Sequence, residues 1–438
     1  MARNFGVHLQ GYKELTASEN IKVANTPNKV YIPLSQHLGA PAEPIVSVGD
    51  RVKLGQKIGE SKSYVSAPIH ASVSGTVVAI QKMAHPVLGF GDCIVIENDG
   101  LDERDTALKE LYGADPTSLT VDELRSLVFE AGIVGMGGAT FPTHVKYAPP
   151  KGVKIDYVLL NGGECEPYLT SDFRVMVEKA DRIVKGLQYI MKIVGCDKGV
   201  IGIEDNKQEA IEILRQATVN IDNIEVKVCP ERYPQGSEKH LIYACLGRVV
   251  PSGKLPLDIG VVVNNVATAV AVADAIEYRT PLVERVVTVS GKGVQHPGNY
   301  LVRIGTLFSE LIQECGGYQG EIGKIIAGGP MMGKAIFTDE FPIIKGTSGV
   351  LVFTKEETNL GKERTCVRCA KCVDQCPIFL EPTTIVQHLK AGHLEEAKEL
   401  GALDCIECGC CSYGCPARIP LAQYIRDGKQ AIRALNKK

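Results

Sequence analysis

Tryptophan is absent from the 438-residue sequence, and only 6% of the residues are aromatic. Neither sign of charge dominates, because the formal net charge is −3 at pH 7. A nearly neutral chain lacks the basic surplus that binds nucleic acid, so we expect no nucleic-acid partner. The length allows about three domains of typical size.

Long hydrophobic runs are also missing. The most apolar stretch, IGVVVNNVATAVAVADAI, is interrupted by Asn264, Asn265 and Asp274. It therefore falls short of the roughly 18–20 uninterrupted apolar residues that cross a bilayer. The N-terminal sequence MARNFGVHLQGYKE contains no apolar segment of the kind that a secretory signal needs. We expect an intracellular chain that is soluble or attached peripherally to a membrane.

Cysteine, in contrast, is abundant, and most of it lies near the C-terminus. The chain has 15 cysteines, and the segment from Cys366 to Cys415 is the dense part. In a long chain without a secretory signal, such clustering favours metal binding over disulfides.

Two motifs in this segment share one spacing, C-x2-C-x2-C-x3-C-P, which is typical of two-cluster ferredoxins. They are CVRCAKCVDQCP and CIECGCCSYGCP. The x2 spacing lets three thiolates converge on one cubane, and the fourth cysteine points at the other cluster. The sequence therefore predicts one 4Fe–4S cluster on Cys366, Cys369, Cys372 and Cys415, and a second on Cys405, Cys408, Cys411 and Cys376. Zinc is the alternative, but zinc sites rarely need this triple run with a trailing proline.

A glycine-rich stretch, GMGGATFP at 135–142, raises the question of phosphate binding. The preceding LTVDELRSLVFEAG begins with a capping box, Thr120 with Glu123, and has helical periodicity. The glycines thus follow a helix. A dinucleotide-binding fingerprint needs a strand, then G-x-G-x-x-G, then a helix, so that interpretation is rejected.

Three further motifs carry polar groups suited to a nucleotide or a heterocycle. The predicted strand DYVLLN leads into GGECEP, and YPQGSE and NNVAT follow later. Asparagines at a strand end can hydrogen-bond a heterocycle, carboxylates suit ribose hydroxyls or an amide, and a glycine loop with a lysine suits a phosphate. An ordinary α/β domain with glycine turns is the alternative.

Together, the four motifs resemble the flavin- and NADH-binding motifs of the 51-kDa-type flavoprotein subunit of respiratory complex I. The resemblance implies that the FMN phosphate and ribityl chain are held by Gly135, Gly137, Gly138 and Lys146. It implies that the flavin is lined by Asn161, Glu164, Asn264, Asn265 and Thr268, and that NAD(H) meets Phe141, Glu166, Tyr233 and Glu238. The sequence departs from the family's pattern at three positions, because Met136, Gly163 and Ser237 stand where the family has arginine, aspartate and glutamate. These departures bear on nucleotide binding more than on flavin binding.

Two further modules flank these motifs. The short strands and glycine turns of VSVGDRVKLGQKIG and APIHASVSGTVVAI predict a barrel-sandwich. After the flavin motifs, VVTVSGKGVQHPGNYLVRIGTLFSELIQECGG predicts two strands and a helix, and resembles a soluble-ligand-binding β-grasp (SLBB) domain. The later GGPMMGKA matches a phosphate loop except at Ala335, where Ser or Thr must bind magnesium, so a β-turn is predicted instead.

The sequence therefore predicts a multidomain α/β and α+β protein. Its parts are a barrel-sandwich hybrid domain (1–105), a flavin/NADH-binding α/β domain (106–282), an SLBB β-grasp domain with a return strand (283–355) and a double 4Fe–4S ferredoxin-like α+β domain (356–438). This order resembles the RnfC family of the Rnf electron-transport complex over essentially the whole chain, and GVHLQGYKELT near the start strengthens the match.

The resemblance implies a function. It is that of a peripheral subunit on the cytoplasmic face of the cell membrane, part of an ion-translocating ferredoxin:NAD+ oxidoreductase. Such a subunit moves electrons between NAD(H), FMN and two 4Fe–4S clusters, and its partners are the membrane and ferredoxin-type Rnf subunits. The alternatives are a soluble flavin/iron–sulfur reductase, of the cobalamin-reductase or amino-acid-reductase-donor kind, and a relay that has lost nucleotide binding.

Overall fold

Four β-sheets, with helices packed around them, organise residues 6–112, 115–358 and 361–435, which are the residues that the computed structural model describes. The N-terminal segment contributes the first strand, β1 (Ile21–Val23), to a sheet formed mainly by residues after 283. Strand β1 thus pairs with β14 (Gly298–Arg303) of that sheet and not with a strand of the barrel. Within the described ranges, no helix has both the length and the apolar character to cross a membrane.

The barrel-sandwich consists of two small antiparallel sheets that enclose an apolar core around Val30, Ile58 and Ile96. Most of its strands are short, as predicted, but two of them form a long hairpin of 11 and 10 residues. One sheet has the order β2-β8-β7-β4 and the other β3-β5-β6. The strands are β2 (Lys29–Pro33), β3 (Glu43–Pro44), β4 (Arg51–Val52), β5 (Lys57–Glu60), β6 (Ile69–His70), β7 (Gly75–His85) and β8 (Gly89–Asn98).

A four-stranded parallel sheet of order β11-β10-β9-β12 forms the centre of the next domain. Helices cover it, as expected for a parallel sheet whose strands are runs of apolar residues. The strands are β9 (Tyr157–Gly162), β10 (Gly199–Glu204), β11 (Ile224–Cys229) and β12 (Val261–Asn265). The helices are α1 (Ala107–Glu110), α2 (Val121–Glu130), α3 (Thr143–Lys146), α4 (Ser171–Glu178), α5 (Ala180–Val194), α6 (Gln208–Thr218), α7 (Glu238–Leu246) and α8 (Val266–Glu277).

Helix α2 begins at the capping box that the sequence predicts. The Thr120 hydroxyl accepts a hydrogen bond from the Glu123 amide, and the Glu123 carboxylate accepts one from the Thr120 amide. The buried face of the helix presents Leu124, Leu127 and Val128 to the core. The glycine-rich stretch at 135–142 therefore follows a helix, as the sequence predicts.

A six-stranded mixed sheet, β1-β14-β13-β17-β15-β16, contains the predicted β-grasp and its return strand. The predicted turn GGPMMG connects β15 to β16, which pair in antiparallel fashion. The elements are β13 (Glu284–Ser290), β14 (Gly298–Arg303), α9 (Phe308–Glu314), β15 (Ile322–Ala327), β16 (Lys334–Ile336), β17 (Gly349–Thr354) and α10 (Lys355–Thr358).

Residues 361–435 form helices and loops without a strand, which differs from the α+β domain that the sequence predicts. The two cysteine motifs occupy loops followed by single helical turns, so strand pairing does not position them. Gly392, at φ 78°, lies between the two α-helices that connect the motifs. The helices are α11 (Lys371–Asp374), α12 (Pro382–Lys390), α13 (Leu394–Glu399), α14 (Cys410–Tyr413) and α15 (Leu421–Leu435).

A buried lysine joins three of these domains. Lys345 Nζ donates hydrogen bonds to Pro68 O (2.8 Å) in the barrel and to Gly132 O (2.7 Å) after α2. Burial lowers the pKa of Lys345 to about 7. Because a buried ammonium needs its hydrogen-bond partners, this lysine fixes the β-grasp against the barrel and the flavin-type domain.

Candidate functional site

The sequence-predicted flavin residues meet at the carboxyl ends of two neighbouring parallel strands. Strands β9 and β12 pair in register, so that Asn265 lies opposite Asn161. Ligands of parallel α/β sheets characteristically bind at this edge. The topology therefore brings together two motifs that are about a hundred residues apart in sequence.

The glycine-rich stretch lies over the end of β12. A Cβ atom added to Gly137 would come within 3.0 Å of Asn265 Nδ2, while Gly138, at φ 77°, faces open space. The Met136 amide donates a hydrogen bond to Thr268 Oγ1 at 2.9 Å, which anchors the loop to α8. Met136 itself is buried, so the residue that departs from the family's arginine belongs to the core.

Lys146, at the end of α3, places a half-buried ammonium beside this loop. Its Nζ donates to Val263 O at 2.8 Å. Burial lowers the pKa of Lys146, and the nearby carboxylate of Glu238 opposes that shift. Since an ammonium has three hydrogens to donate, the bond to Val263 leaves donors for an anionic group such as a phosphate.

The asparagine pair at the end of β12 has two different environments. Asn264 Oδ1 accepts a hydrogen bond from the Tyr147 hydroxyl at 3.1 Å, but its buried Nδ2 has no hydrogen-bond partner. Asn265 Nδ2 donates to Asp172 Oδ2 at 2.6 Å, and its Oδ1 caps α8. A buried donor without a partner costs roughly 1–3 kcal/mol, so the Asn264 amide fits a site completed by a polar ligand.

Asn161 and Glu164 shape the loop after β9. Asn161 Nδ2 donates to Gly236 O at 2.7 Å, which joins this loop to the YPQGSE motif. The Glu164 carboxylate accepts hydrogen bonds from the amides of Asp172 (2.9 Å) and Phe173 (3.2 Å). Its carboxylate therefore caps the start of α4, a role that the sequence does not reveal.

The sequence also gives no signal for two supporting residues. Lys13 Nζ donates to three backbone carbonyls of the loop after β9, those of Glu164, Glu166 and Leu169, at 2.6–3.0 Å. Asp172 holds Asn265, and burial together with the Glu164 carboxylate raises the pKa of Asp172. Only long-range packing brings Lys13 to this loop, since about 150 residues separate them.

Glu166 and Tyr233, two of the predicted nucleotide contacts, meet at what we call the domain junction. There the Glu166 carboxylate accepts hydrogen bonds from the amides of Met331 and Met332, each at 3.0 Å. The Tyr233 hydroxyl lies 2.8 Å from Cys408 O and 3.2 Å from Glu166 Oε1. These two residues thus connect the flavin-type domain, the GGPMMG turn and the second cysteine motif.

The other two predicted nucleotide contacts, Phe141 and Glu238, belong to the glycine-rich loop and to α7. Phe141 is half-buried, and its carbonyl accepts a hydrogen bond from the Gly135 amide at 2.9 Å, closing the glycine-rich loop. Glu238 is the first residue of α7 and is the carboxylate whose charge acts on Lys146. Neither side chain takes part in the domain junction.

The eight predicted cluster ligands line two separate cavities. One, which we call the outer cavity, is lined by Cys366, Cys369, Cys372 and Cys415. The other, the inner cavity, is lined by Cys376, Cys405, Cys408 and Cys411. In each cavity the fourth cysteine comes from the other motif, which is the crossed arrangement expected from the spacing. Cys410, buried beside Tyr233, is not among the lining residues of either cavity.

The donor chemistry of these cavities fits clusters better than single ions. Among the described residues, no three His, Cys, Asp or Glu side chains converge tightly enough for one metal ion. Four thiols instead line each cavity, and thiolate is the usual ligand of iron–sulfur clusters.

Matches to known families divide the chain in the order of its domains. Residues 2–101 match the RnfC barrel sandwich hybrid domain and residues 128–274 the Nuo51 FMN-binding domain. Residues 286–335 match the SLBB domain, and residues 360–416 match a 4Fe–4S dicluster domain. These matches confirm the predicted kinds of domain; the predicted boundaries stay predictions.

Among solved structures, an NAD+-reducing [NiFe]-hydrogenase in the air-oxidized state has a similar fold. Its TM-score is 0.54 at 22% identity, over 75% of this chain and 66% of the hydrogenase chain. At this identity the likeness concerns the fold alone.

Full-length relatives are much closer. The C subunit of the proton-translocating ferredoxin:NAD(+) oxidoreductase complex of Clostridium ljungdahlii is 49% identical, over 98% of this chain and 93% of the relative. The C subunit of the Na(+)-translocating ferredoxin:NAD(+) oxidoreductase complex of Acetobacterium woodii is 46% identical, over 99% and 97%. This chain therefore belongs to the RnfC family.

Proposed function

We propose that the chain is the peripheral subunit through which an ion-translocating ferredoxin:NAD+ oxidoreductase exchanges electrons with NAD(H), at the cytoplasmic face of the cell membrane. The relatives from C. ljungdahlii and A. woodii carry that activity in their names and match nearly the whole chain. Its partners are NAD(H) and the other subunits of the complex.

FMN is proposed to bind at the carboxyl ends of β9 and β12. The backbone of Gly135, Gly137 and Gly138 and the ammonium of Lys146 would hold the phosphate and the ribityl chain. The isoalloxazine would be lined by Asn161, Glu164, Asn264, Asn265 and Thr268. The unpartnered buried amide of Asn264 supports this assignment. When bound, a flavin supplies the conversion between the two-electron hydride chemistry of NADH and one-electron chemistry.

Phe141, Glu166, Tyr233 and Glu238 are the proposed nucleotide contacts. Phe141 belongs to the glycine-rich loop, and the charge of Glu238 acts on Lys146. For Glu166 and Tyr233, hydrogen bonds to a nucleotide would have to replace those of the domain junction. This competition favours one further candidate function, a relay that receives electrons without binding NAD(H).

Two 4Fe–4S clusters are proposed, one in each cysteine cavity, and bound clusters supply one-electron transfer. One observation carries the order in which they act: Tyr233 of the flavin-type domain contacts the backbone of Cys408, while Cys369 of the outer cavity is exposed. The inner cavity therefore faces the flavin side of the chain, and the outer cavity faces its surroundings.

An anaerobic titration of the purified holoprotein with NADH tests the proposal. We expect about eight iron atoms and one FMN per chain, bleaching of the flavin absorbance, and then EPR signals from reduced clusters. Bound flavin that NADH does not bleach, while dithionite does, would establish the relay instead. Preparations that hold iron but never FMN would refute the flavin site.

A further inference from the structure

The surface around the outer cavity is basic, although the chain as a whole is slightly acidic. The stretch GKERTCVRCAK at 361–371 contains four basic residues and one acidic residue, Glu363. Every residue in it is exposed except Cys366, which is half-buried. The guanidinium of Arg418, also exposed, lies against Gly361. We call residues 361–371 together with Arg418 the exit surface.

These positive charges are not neutralised by the chain itself. Glu363 is bound by Lys390 Nζ and by the Tyr424 hydroxyl, each at 3.0 Å. Among the ion pairs of the described residues, none includes one of the basic residues of the exit surface. Asp374, one helical turn after Lys371, is the nearest other carboxylate in sequence and also lacks an ion pair there. The basic members of the exit surface are Lys362, Arg364, Arg368, Lys371 and Arg418.

The inner cavity shows that basic residues beside a cysteine loop can be paired within the chain. There Glu407 accepts hydrogen bonds from Arg426 Nε (2.9 Å) and Lys429 Nζ (2.7 Å). Lys429 also donates to Cys405 O at 2.6 Å. The unpaired charges of the exit surface are thus a property of one cavity, not of the ferredoxin-type domain in general.

The middle of the stretch 361–371 exposes one apolar side chain and one thiol. Val367 is 66% exposed, and its neighbour in the motif, Cys369, is exposed as well. An apolar centre surrounded by charged groups is the usual anatomy of a protein–protein interface. A basic surface of this kind attracts and orients a partner of opposite charge.

Two occupants could match a basic surface, an acidic protein or an anionic membrane. If the outer cavity holds a cluster, as proposed above, its surface must pass electrons to another carrier, which a lipid headgroup cannot accept. We propose that the exit surface docks an electron-carrying protein with an acidic face, one of the other subunits of the complex. This inference rests on the proposed function, because it requires the cluster in the outer cavity.

Neutralising the exit surface tests the proposal. The variant Lys362→Gln/Arg364→Gln/Lys371→Gln removes three charges without changing a cysteine. The matched control, Lys151→Gln/Lys154→Gln/Lys254→Gln, removes three exposed charges elsewhere. Each holoprotein is sedimented anaerobically with membranes that contain the other subunits but lack this one, at increasing KCl.

We expect the exit-surface variant to bind these membranes about tenfold more weakly or worse, with a smaller salt dependence, while the control binds like the unaltered protein. Iron content and NADH:ferricyanide activity should stay unchanged in both variants. Equal binding of the two variants would overturn the proposal.

Vesicles of phosphatidylglycerol and phosphatidylcholine, without protein, distinguish the membrane from a protein partner. We expect weak binding to them that does not differ between the variants. If the vesicles reproduce the whole effect, the occupant is the membrane and the proposal is overturned. If the unaltered protein binds neither preparation, the proposed function itself fails, and the docking surface with it.

Discussion

The two cysteine cavities share one sequence spacing but lie in opposite surroundings. In the inner cavity, Cys376, Cys408 and Cys411 are at most 7% exposed. In the outer cavity, Cys369 is exposed and Cys366 and Cys415 are half-buried. Each cavity has one exception, because Cys405 of the inner cavity is half-buried and Cys372 of the outer cavity is buried. The inner cavity lies next to the flavin-type domain, and three of its four cysteines come from the second motif.

The difference comes from what packs on each loop. The loop of the inner cavity is covered by Tyr233 and by Met331 of the GGPMMG turn, whose carbonyl approaches Gly409. His240 of α7 also reaches over, with Nε2 2.9 Å from Pro377 O. The exit surface has no such cover among the described residues. Identical spacings therefore specify the predicted ligand sets, whereas the neighbouring domains determine which cavity is covered and which is exposed.

Cys415→Ser is expected to have the largest effect, because it should remove one cluster and leave the other. Because Cys415 lines the outer cavity, we expect loss of that cluster's EPR signal while the signal of the inner cavity remains. Electron delivery to membranes should be abolished, and NADH:ferricyanide activity should persist. Cys376→Ser should have the converse spectroscopic effect, and Cys93→Ala, far from both motifs, serves as the control.

The EPR signals of two serine variants show whether this assignment is wrong. If Cys415→Ser and Cys405→Ser lose the same signal, the fourth ligands do not cross between the motifs. The crossed assignment, and with it the order of the cavities, would then be wrong.

The cavities illustrate what the sequence can predict. Ligand spacing is local, so the cysteine sets follow from counting residues, as does the capping box of α2 at Thr120 and Glu123. The strands that carry Asn161 and Asn265 at or near their ends are likewise predictable, because apolar runs that lead into polar residues are visible in the sequence. Their meeting at one sheet edge follows from parallel topology.

The domain junction could not be predicted in the same way. Glu166 finds its amide partners 165 and 166 residues away, and Tyr233 finds Cys408 175 residues away. No local pattern encodes such contacts, which depend on how the domains pack. The resemblance therefore gave these residues a nucleotide role without revealing that their polar atoms join three domains.

Lys146→Ala tests the proposed flavin site, at which electrons from NADH would enter the chain. Loss of a charge-assisted hydrogen bond costs roughly 1.5–3 kcal/mol, so FMN affinity should fall about ten- to a hundredfold. After removal of FMN by dialysis, NADH should reduce neither cluster, while dithionite still reduces both. The measurement is FMN content after dialysis, with the exposed Lys151→Ala as control.

If FMN content is unchanged in Lys146→Ala, the glycine-rich loop does not bind the phosphate with this lysine. If NADH still reduces the clusters of FMN-free protein, electrons enter by a route other than the flavin site. The second outcome would also argue against electron transfer from the flavin to the cluster of the inner cavity.

Tyr233→Phe is the smallest change and the finest test of why the inner cavity is closed. It keeps the buried ring but removes the hydroxyl that lies 2.8 Å from Cys408 O, leaving a buried carbonyl without that partner. Such a loss costs roughly 1–3 kcal/mol, so local opening of the domain junction should become several- to about a hundredfold more frequent. Cys410, which is fully buried beside Tyr233, reports that opening through its rate of alkylation by iodoacetamide in the anaerobic holoprotein.

We expect faster alkylation of Cys410 and slower reduction of the clusters by NADH. Glu166→Gln should act in the same direction, because the amide of glutamine keeps one acceptor oxygen for Met331 or Met332 but loses the other. Tyr243→Phe, on the exposed side of α7, is the control. A rise in KM for NADH with unchanged labelling of Cys410 would instead show that the two side chains act on the nucleotide and do not hold the domain junction closed. In that case the closure of the inner cavity would depend on the packing of Met331 and His240, not on these hydrogen bonds.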